Sequence, residues 1–115
     1  MLVQIFRVEC PKRKLGPYVS RPFSISWQKQ YHSQLPNPKQ EGLDITKEWL
    51  CAFESLEKLN SWFLPEELEA LHQMGFKLLT GFVHENEIQF GERQLIYRKE
   101  MLEDFKYKSL RGAKK

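Results

Sequence analysis

At Gly75 the hydrophobic period of this chain changes. Before it, PEELEALHQM places Leu64, Leu68 and Leu71 on one face of a helix. After it, Phe76 to Val83 (FKLLTGFV) runs or alternates apolar as a strand does. A helix that stops and gives way at once to a strand excludes all-helical and all-strand folds. Its apolar stripe then has to pack on a sheet. The local chemistry agrees. Pro65 suits the first helical position, and Gly75 suits the residue after the last turn, where a left-handed backbone is wanted. Phe76 is placed to fold back on Leu71.

The remaining elements follow from the same periodicities. Leu2 to Glu9 reads as a strand, apolar on both faces at its start and so covered on both sides. Trp49 to Phe53 is a short apolar run of strand type. Ser55 precedes a helix as its N-cap, and Leu56, Leu59, Trp62 and Phe63 form that helix's stripe. The acids at 66–69 read as a solvated first turn. His84 to Glu87 is a turn, Ile88 to Phe90 resumes strand, Gly91-Glu92 interrupts it, and Arg93 to Arg98 forms a last strand. Short polar turns between these strands predict an antiparallel meander. A short helix is expected from Glu100 through Phe105, and LRGAKK has the composition of a frayed end. The expected fold is therefore α+β, with a small mixed or mainly antiparallel sheet and two short helices on one face. It forms a single domain over residues 1–108, with an irregular loop region at 20–46 and a flexible basic tail at 109–115.

A chain of 115 residues supports one modest core, and 41% hydrophobic with 13% aromatic residues suits a folded domain. No apolar run approaches the roughly 18 residues of a membrane span, so no membrane partner is expected. Arg7 interrupts the N-terminal apolar stretch, unlike a secretory leader. Both points, with only two cysteines, Cys10 and Cys51, lead to an expectation of a cytoplasmic protein without a disulfide. The net charge of +3 is unevenly spread. Residues 1–40 carry seven Lys/Arg against Glu9 alone, residues 41–105 carry six against fourteen acids, and the last ten carry five with no acid. Such segregation makes an oriented field rather than a uniformly nucleic-acid-like surface.

The chemistry-bearing residues gather near the N-terminus. Arg7 and Glu9 lie two apart and share one face of the first strand. The apolar surroundings of Arg7 desolvate its guanidinium, which then needs a partner. The following loop presents Lys12, Arg13, Lys14 and Arg21 around Gly16-Pro17-Tyr18, a basic and aromatic setting for an anionic or planar ligand. Arg7, Lys12, Arg13, Lys14, Tyr18 and Arg21 are thus the candidate binding residues. Late in the chain, Glu92 and Gln94 bring polar groups into apolar surroundings. His32, His72 and His84 have no metal-ligand spacing, and Cys10 is a thiol with basic neighbours but no assignable His or Asn partner.

FRVE (Phe6 to Glu9), GPY (Gly16 to Tyr18), CAFESLEKLNSWF (Cys51 to Phe63), MGF (Met74 to Phe76) and FGERQLIY (Phe90 to Tyr97) together resemble small accessory proteins carried by bacteriophages and prophages. The resemblance implies a protein that binds and inhibits a host macromolecule, a protein or ribonucleoprotein. An anti-CRISPR-like action on a host defence system would follow, in the host cytoplasm and with no cofactor. A weaker similarity is to ADP-ribosyltransferase-like folds. It implies an NAD-using enzyme with Arg7, Tyr18, Gln94 and Glu92 as catalytic candidates, although the chain is short for that fold and no clear Gln-x-Glu element is present. A third reading, an RNA-binding module, rests on the basic-aromatic mixture alone.

Overall fold

The computed structural model describes residues 1–12, 41–43 and 49–113. Most of the expected 20–46 loop lies outside these. Among the described residues six strands and two helices are formed: β1 (Leu2–Glu9), β2 (Trp49–Ala52), α1 (Leu56–Trp62), α2 (Pro65–Gln73), β3 (Lys77–His84), β4 (Ile88–Phe90), β5 (Leu95–Arg98) and β6 (Glu103–Lys108). The strands make two antiparallel three-stranded sheets, ordered β1-β3-β6 and β2-β5-β4. This is the expected α+β class, with the strands divided between two sheets.

The division overturns the expected meander. Only β4 and β5 pair as consecutive strands, because the turn Glu85–Glu87 carries the chain out of one sheet and into the other. β3 instead sits between β1 and β6. Among the described residues the backbones of the two sheets are joined at one bridge, where the Phe6 N–H donates to the Phe53 carbonyl and the Phe53 N–H to the Phe6 carbonyl, both at 2.8 Å.

Alternation along β1 then serves two cores. Val8 packs with Leu78 against Leu59, Trp62, Phe63, Leu68 and Leu71 of the helical layer. Ile5, on the opposite face, packs with Val83 against Ala52, Leu95 and Tyr97 of the second sheet. The strand is covered on both sides at Ile5 and Val8 as expected, but not at its start, where Leu2 and Gln4 are exposed.

The helices end as their sequences specify. Ser55 Oγ accepts from the Lys58 N–H at 3.1 Å and caps α1. Past α2, the Phe76 N–H donates to the Leu71 carbonyl (2.9 Å) and the Gly75 N–H to the His72 carbonyl (3.1 Å), a full Schellman closure with Gly75 at φ +93°. One expectation fails here. Glu67 is not solvated but fully buried, and its Oε1 accepts from the Leu64 N–H at 2.9 Å. A carboxylate occupies the helix start because that N–H has no backbone partner.

The C-terminal segment departs most from expectation. Residues 103–108 form strand β6, not a helix, and the folded body runs past residue 108. Leu110 is fully buried in the helix-side core, and Arg111 grips Glu69 of α2 through Nε (3.3 Å) and Nη2 (2.9 Å). The missed signal is the alternation of Phe105 and Tyr107 with Lys106 and Lys108.

β6 joins β3 through a bulge. Thr80 pairs with Lys106 and Phe82 with Glu103, so Gly81 faces the extra residue, and Asp104 takes φ +49°. A Cβ on Gly81 would lie 2.7 Å from Leu102 Cδ1 and 3.0 Å from Phe105 Cβ. At Gly75 a Cβ would meet nothing within 4 Å. The two glycines therefore predict different losses. Gly75→Ala costs about 1 kcal/mol from backbone strain alone. Gly81→Ala costs about 1–3 kcal/mol from crowding and disturbs β6 selectively. Urea unfolding measures both totals, and amide exchange across 103–108 reports the selectivity.

Candidate functional site

The site grows from the register of the first sheet. Arg7 of β1 pairs with Leu79 of β3, and Leu79 pairs with Tyr107 of β6. Arg7, Leu79 and Tyr107 thus form one row across three strands, and Glu9 lies two residues further along the same face. Arg7 Nε donates to Glu9 Oε1 at 2.9 Å, and the Tyr107 hydroxyl donates to Glu9 Oε2 at 2.6 Å. Arg7 Nη1 reaches across to the second sheet and donates to the Cys51 carbonyl at 2.8 Å. Arg7 and Glu9 are both buried. The partner that desolvation requires of Arg7 is thus its own strand neighbour.

The second sheet brings Tyr97 of β5, which pairs with Leu50. Glu9, Tyr97 and Tyr107 line a pocket of about 550 Å³, walled by Leu50, Leu79, Leu102 and Phe105, with Lys99 and Glu100 also on its lining. Tyr97 is 1% exposed, and its hydroxyl has no hydrogen-bond partner among the described residues. Burial pushes that hydroxyl up to about 12; the Arg7 guanidinium pulls it down, and the Glu9 carboxylate adds to the rise. The Tyr107 hydroxyl is raised as well, by lost hydration and then by its bond to Glu9. Burial also raises the Cys51 thiol against the pull of Arg7. Both tyrosines are therefore neutral donors at physiological pH. Among the described residues no group of three or more His, Cys, Asp or Glu is placed to hold a metal ion.

The residues singled out from sequence are distributed as follows. Arg7 stands at the centre of the cluster, and Lys12 is exposed just beyond β1. Arg13, Lys14, Tyr18 and Arg21 lie outside the described residues. Gln94 is buried in the turn between β4 and β5, away from the pocket lining. There the Arg93 and Gln94 N–H groups donate to Glu41 Oε1 at 2.7 and 3.3 Å, and the Gly91 N–H donates to the Gln94 carbonyl at 2.8 Å. Glu92 is exposed, and its carbonyl accepts from Lys58 Nζ at 3.2 Å. Neither Gln94 nor Glu92 joins Arg7 in lining the pocket. Cys10 packs against the helix-side core. Tyr97 and Tyr107 were the residues sequence reasoning missed. Tyr107 depends on recognising β6, and Tyr97 reads only as an apolar strand residue.

A model of the family described as bacteriophage T4 Y00F protein matches residues 1–111. The chain belongs to that family. No curated protein and no solved structure matches it. The Y00F match spans all six strands, and so every residue of the Arg7–Glu9–Tyr107 cluster and of the pocket. It establishes the phage character that the FRVE, CAFESLEKLNSWF and FGERQLIY segments resembled. Among the described residues no helix is long and apolar enough to cross a membrane.

Two outcomes follow from this geometry. Arg7→Met leaves Glu9 buried with a smaller set of donors and costs about 3–5 kcal/mol, whereas Arg7→Met with Glu9→Leu costs less than the single change. Urea unfolding of the three proteins checks the order. The second outcome concerns alkali. Tyr97 in the unfolded chain loses its proton near about pH 10, while in the folded protein it holds it to about 12. The folded state binds more protons between those values, so stability is full below pH 10 and falls as pH rises towards 12. The urea midpoint should drop over that window, and drop less in Tyr97→Phe.

Proposed function

We propose that this phage protein acts by binding a host protein or ribonucleoprotein, in the host cytoplasm, and blocking it. A component of host defence is the target class, as for an anti-CRISPR-like protein. The observation that carries this reading is the convergence of two basic segments that are about a hundred residues apart in sequence. Glu9 pairs with Lys77, and Leu78 and Thr80 pair with Lys108 and Lys106. The antiparallel course of β6 thereby brings its basic end to the end of the sheet from which β1 emerges towards Lys12. Lys12, Lys77, Lys106 and Lys108 are all exposed, and no ion pair among the described residues engages them. The acids of β6, Glu103 and Asp104, lie at its other end, Asp104 in the bulge and Glu103 beyond it. Glu9, the acid nearest this basic end on β1, is buried and already neutralised by Arg7.

An acidic patch on a partner suits such a surface, both for affinity and for steering the encounter. The NAD-using reading draws less support. Arg7, its leading contact, is buried and commits its Nε and Nη1 to Glu9 and the Cys51 carbonyl, and Gln94 and Glu92 sit elsewhere.

The test compares the wild-type chain with Lys12→Glu/Lys106→Glu/Lys108→Glu as bait in host extract, with and without nuclease. All three positions are exposed, so the variant should fold, which circular dichroism verifies. The expected outcome is a protein partner that resists nuclease, is held by the wild type and is lost by the variant. Equal capture by both baits would remove the basic end from the mechanism. Loss of capture on nuclease treatment would favour the RNA-binding alternative.

A further inference from the structure

The pocket lies on the face of the first sheet opposite the helices, the face that carries Glu9, Leu79 and Tyr107. We propose that it seats one large apolar side chain of the partner protein, presented by a segment with acidic residues on either side of it. The inference rests on the protein-binding reading and names the chemistry of the segment that is bound.

Burial grades the pocket from floor to mouth. Leu79 is buried, Leu50 and Leu102 are half-buried, and Phe105 is 50% exposed. The Phe105 ring meets Tyr107 edge-on, with centroids 6.1 Å apart and planes at 82°, so an apolar ring stands at the mouth. The volume of about 550 Å³ falls within the range of small-ligand sites, roughly 300–1,000 Å³. A free small molecule that filled this space would leave the outer part of Phe105 in water. A chain segment covers the cavity and the ring together, and so removes more apolar surface from solvent. One large side chain in such a pocket carries much of the affinity of an interface.

The charges specify the flanks. The two acids on the lining are both matched: Glu9 by Arg7 Nε, and Glu100 by Arg98 Nη2 at 3.5 Å. The cations are not. Lys99 is on the lining, and Lys77 lies directly across from Glu9, two residues from Leu79 on the same face. Both are exposed, and no ion pair among the described residues engages either. The apolar site is therefore set among surplus positive charge. Acids beside the inserted side chain match it, and charges at such a rim steer the encounter and fix the register. Lys106 and Lys108 belong to the other face, since their β3 partner Leu78 packs in the helix-side core.

The probe is the capped pentapeptide Asp-Glu-Phe-Glu-Asp, titrated into the purified chain at low salt and followed by NMR of the leucine methyl signals. Asp-Glu-Ala-Glu-Asp lacks the large side chain, and Asn-Gln-Phe-Gln-Asn lacks the charges. The expected result is saturable shifts at Leu50, Leu79 and Leu102 with the first peptide and none there with the second. The third should bind with a Kd about fivefold higher, as two modest rim contacts imply. Phe105→Ala alters an exposed ring, so it folds, and its Kd for the first peptide should rise about tenfold. Lys77→Gln/Lys99→Gln, also exposed, should bind the charged and uncharged Phe peptides alike. Absence of shifts at millimolar peptide would overturn the proposal. So would equal binding of the Ala peptide, an unchanged Kd in Phe105→Ala, or a preference for acids that survives in the double variant. The titration uses neither host extract nor Lys12, Lys106 and Lys108, so it can fail while the basic end still captures a host protein, and the reverse also holds.

Discussion

Arg7 is the residue on which the two sheets depend. Its backbone belongs to the first sheet, its guanidinium bonds Glu9 on the same strand, and its remaining reach ends on the Cys51 carbonyl of the second. One residue away, the Phe6–Phe53 bridge makes the same connection through the backbone. The pair is weak evidence for stability in itself, since a buried ion pair recovers little more than its desolvation cost. Its value is geometric. A guanidinium that must find acceptors in an apolar interior fixes where β2 lies against β1, and a carboxylate with room for more donors draws Tyr107, and so β6, to the same place.

Much of the fold was legible wherever one local rule applied. Gly75, Ser55 and Pro65 act within a few residues of themselves, and the structure places each where its chemistry belongs. Legibility failed where a distant partner decides the outcome. Glu67 reads as one of a run of solvated acids, and only the buried start of α2 reveals that it caps the helix. The strands after Gly75 read as a meander, because short polar turns do not say which sheet the next strand joins. β6 was hidden by its charges. As the outer strand among those described, it keeps Glu103, Asp104, Lys106 and Lys108 exposed, and such residues protect a strand edge as readily as they mark a solvated helix.

The candidate site was half legible for the same reason. An arginine and a glutamate two apart on an apolar strand already require each other, and they are bonded. The tyrosines that complete the cluster come from residues 97 and 107, and no spacing in the sequence links them to Glu9. Membership of the bacteriophage T4 Y00F family extends over the whole cluster, so the chemistry at this junction belongs to the part of the chain that the family defines.

Burial of Leu110 has a consequence for how the molecule is made. β1 pairs with Phe53 and with residues 77–84, the third strand of its sheet ends at 108, and the helical core closes on Leu110. Nothing near the N-terminus offers β1 a local partner among the described residues. An emerging chain therefore carries β1 without its sheet partners until residues 77–84 and 103–108 have been synthesised. Folding must wait for these remote pairings, which is the behaviour of a high-contact-order topology. β1 is made well before the strands that secure it.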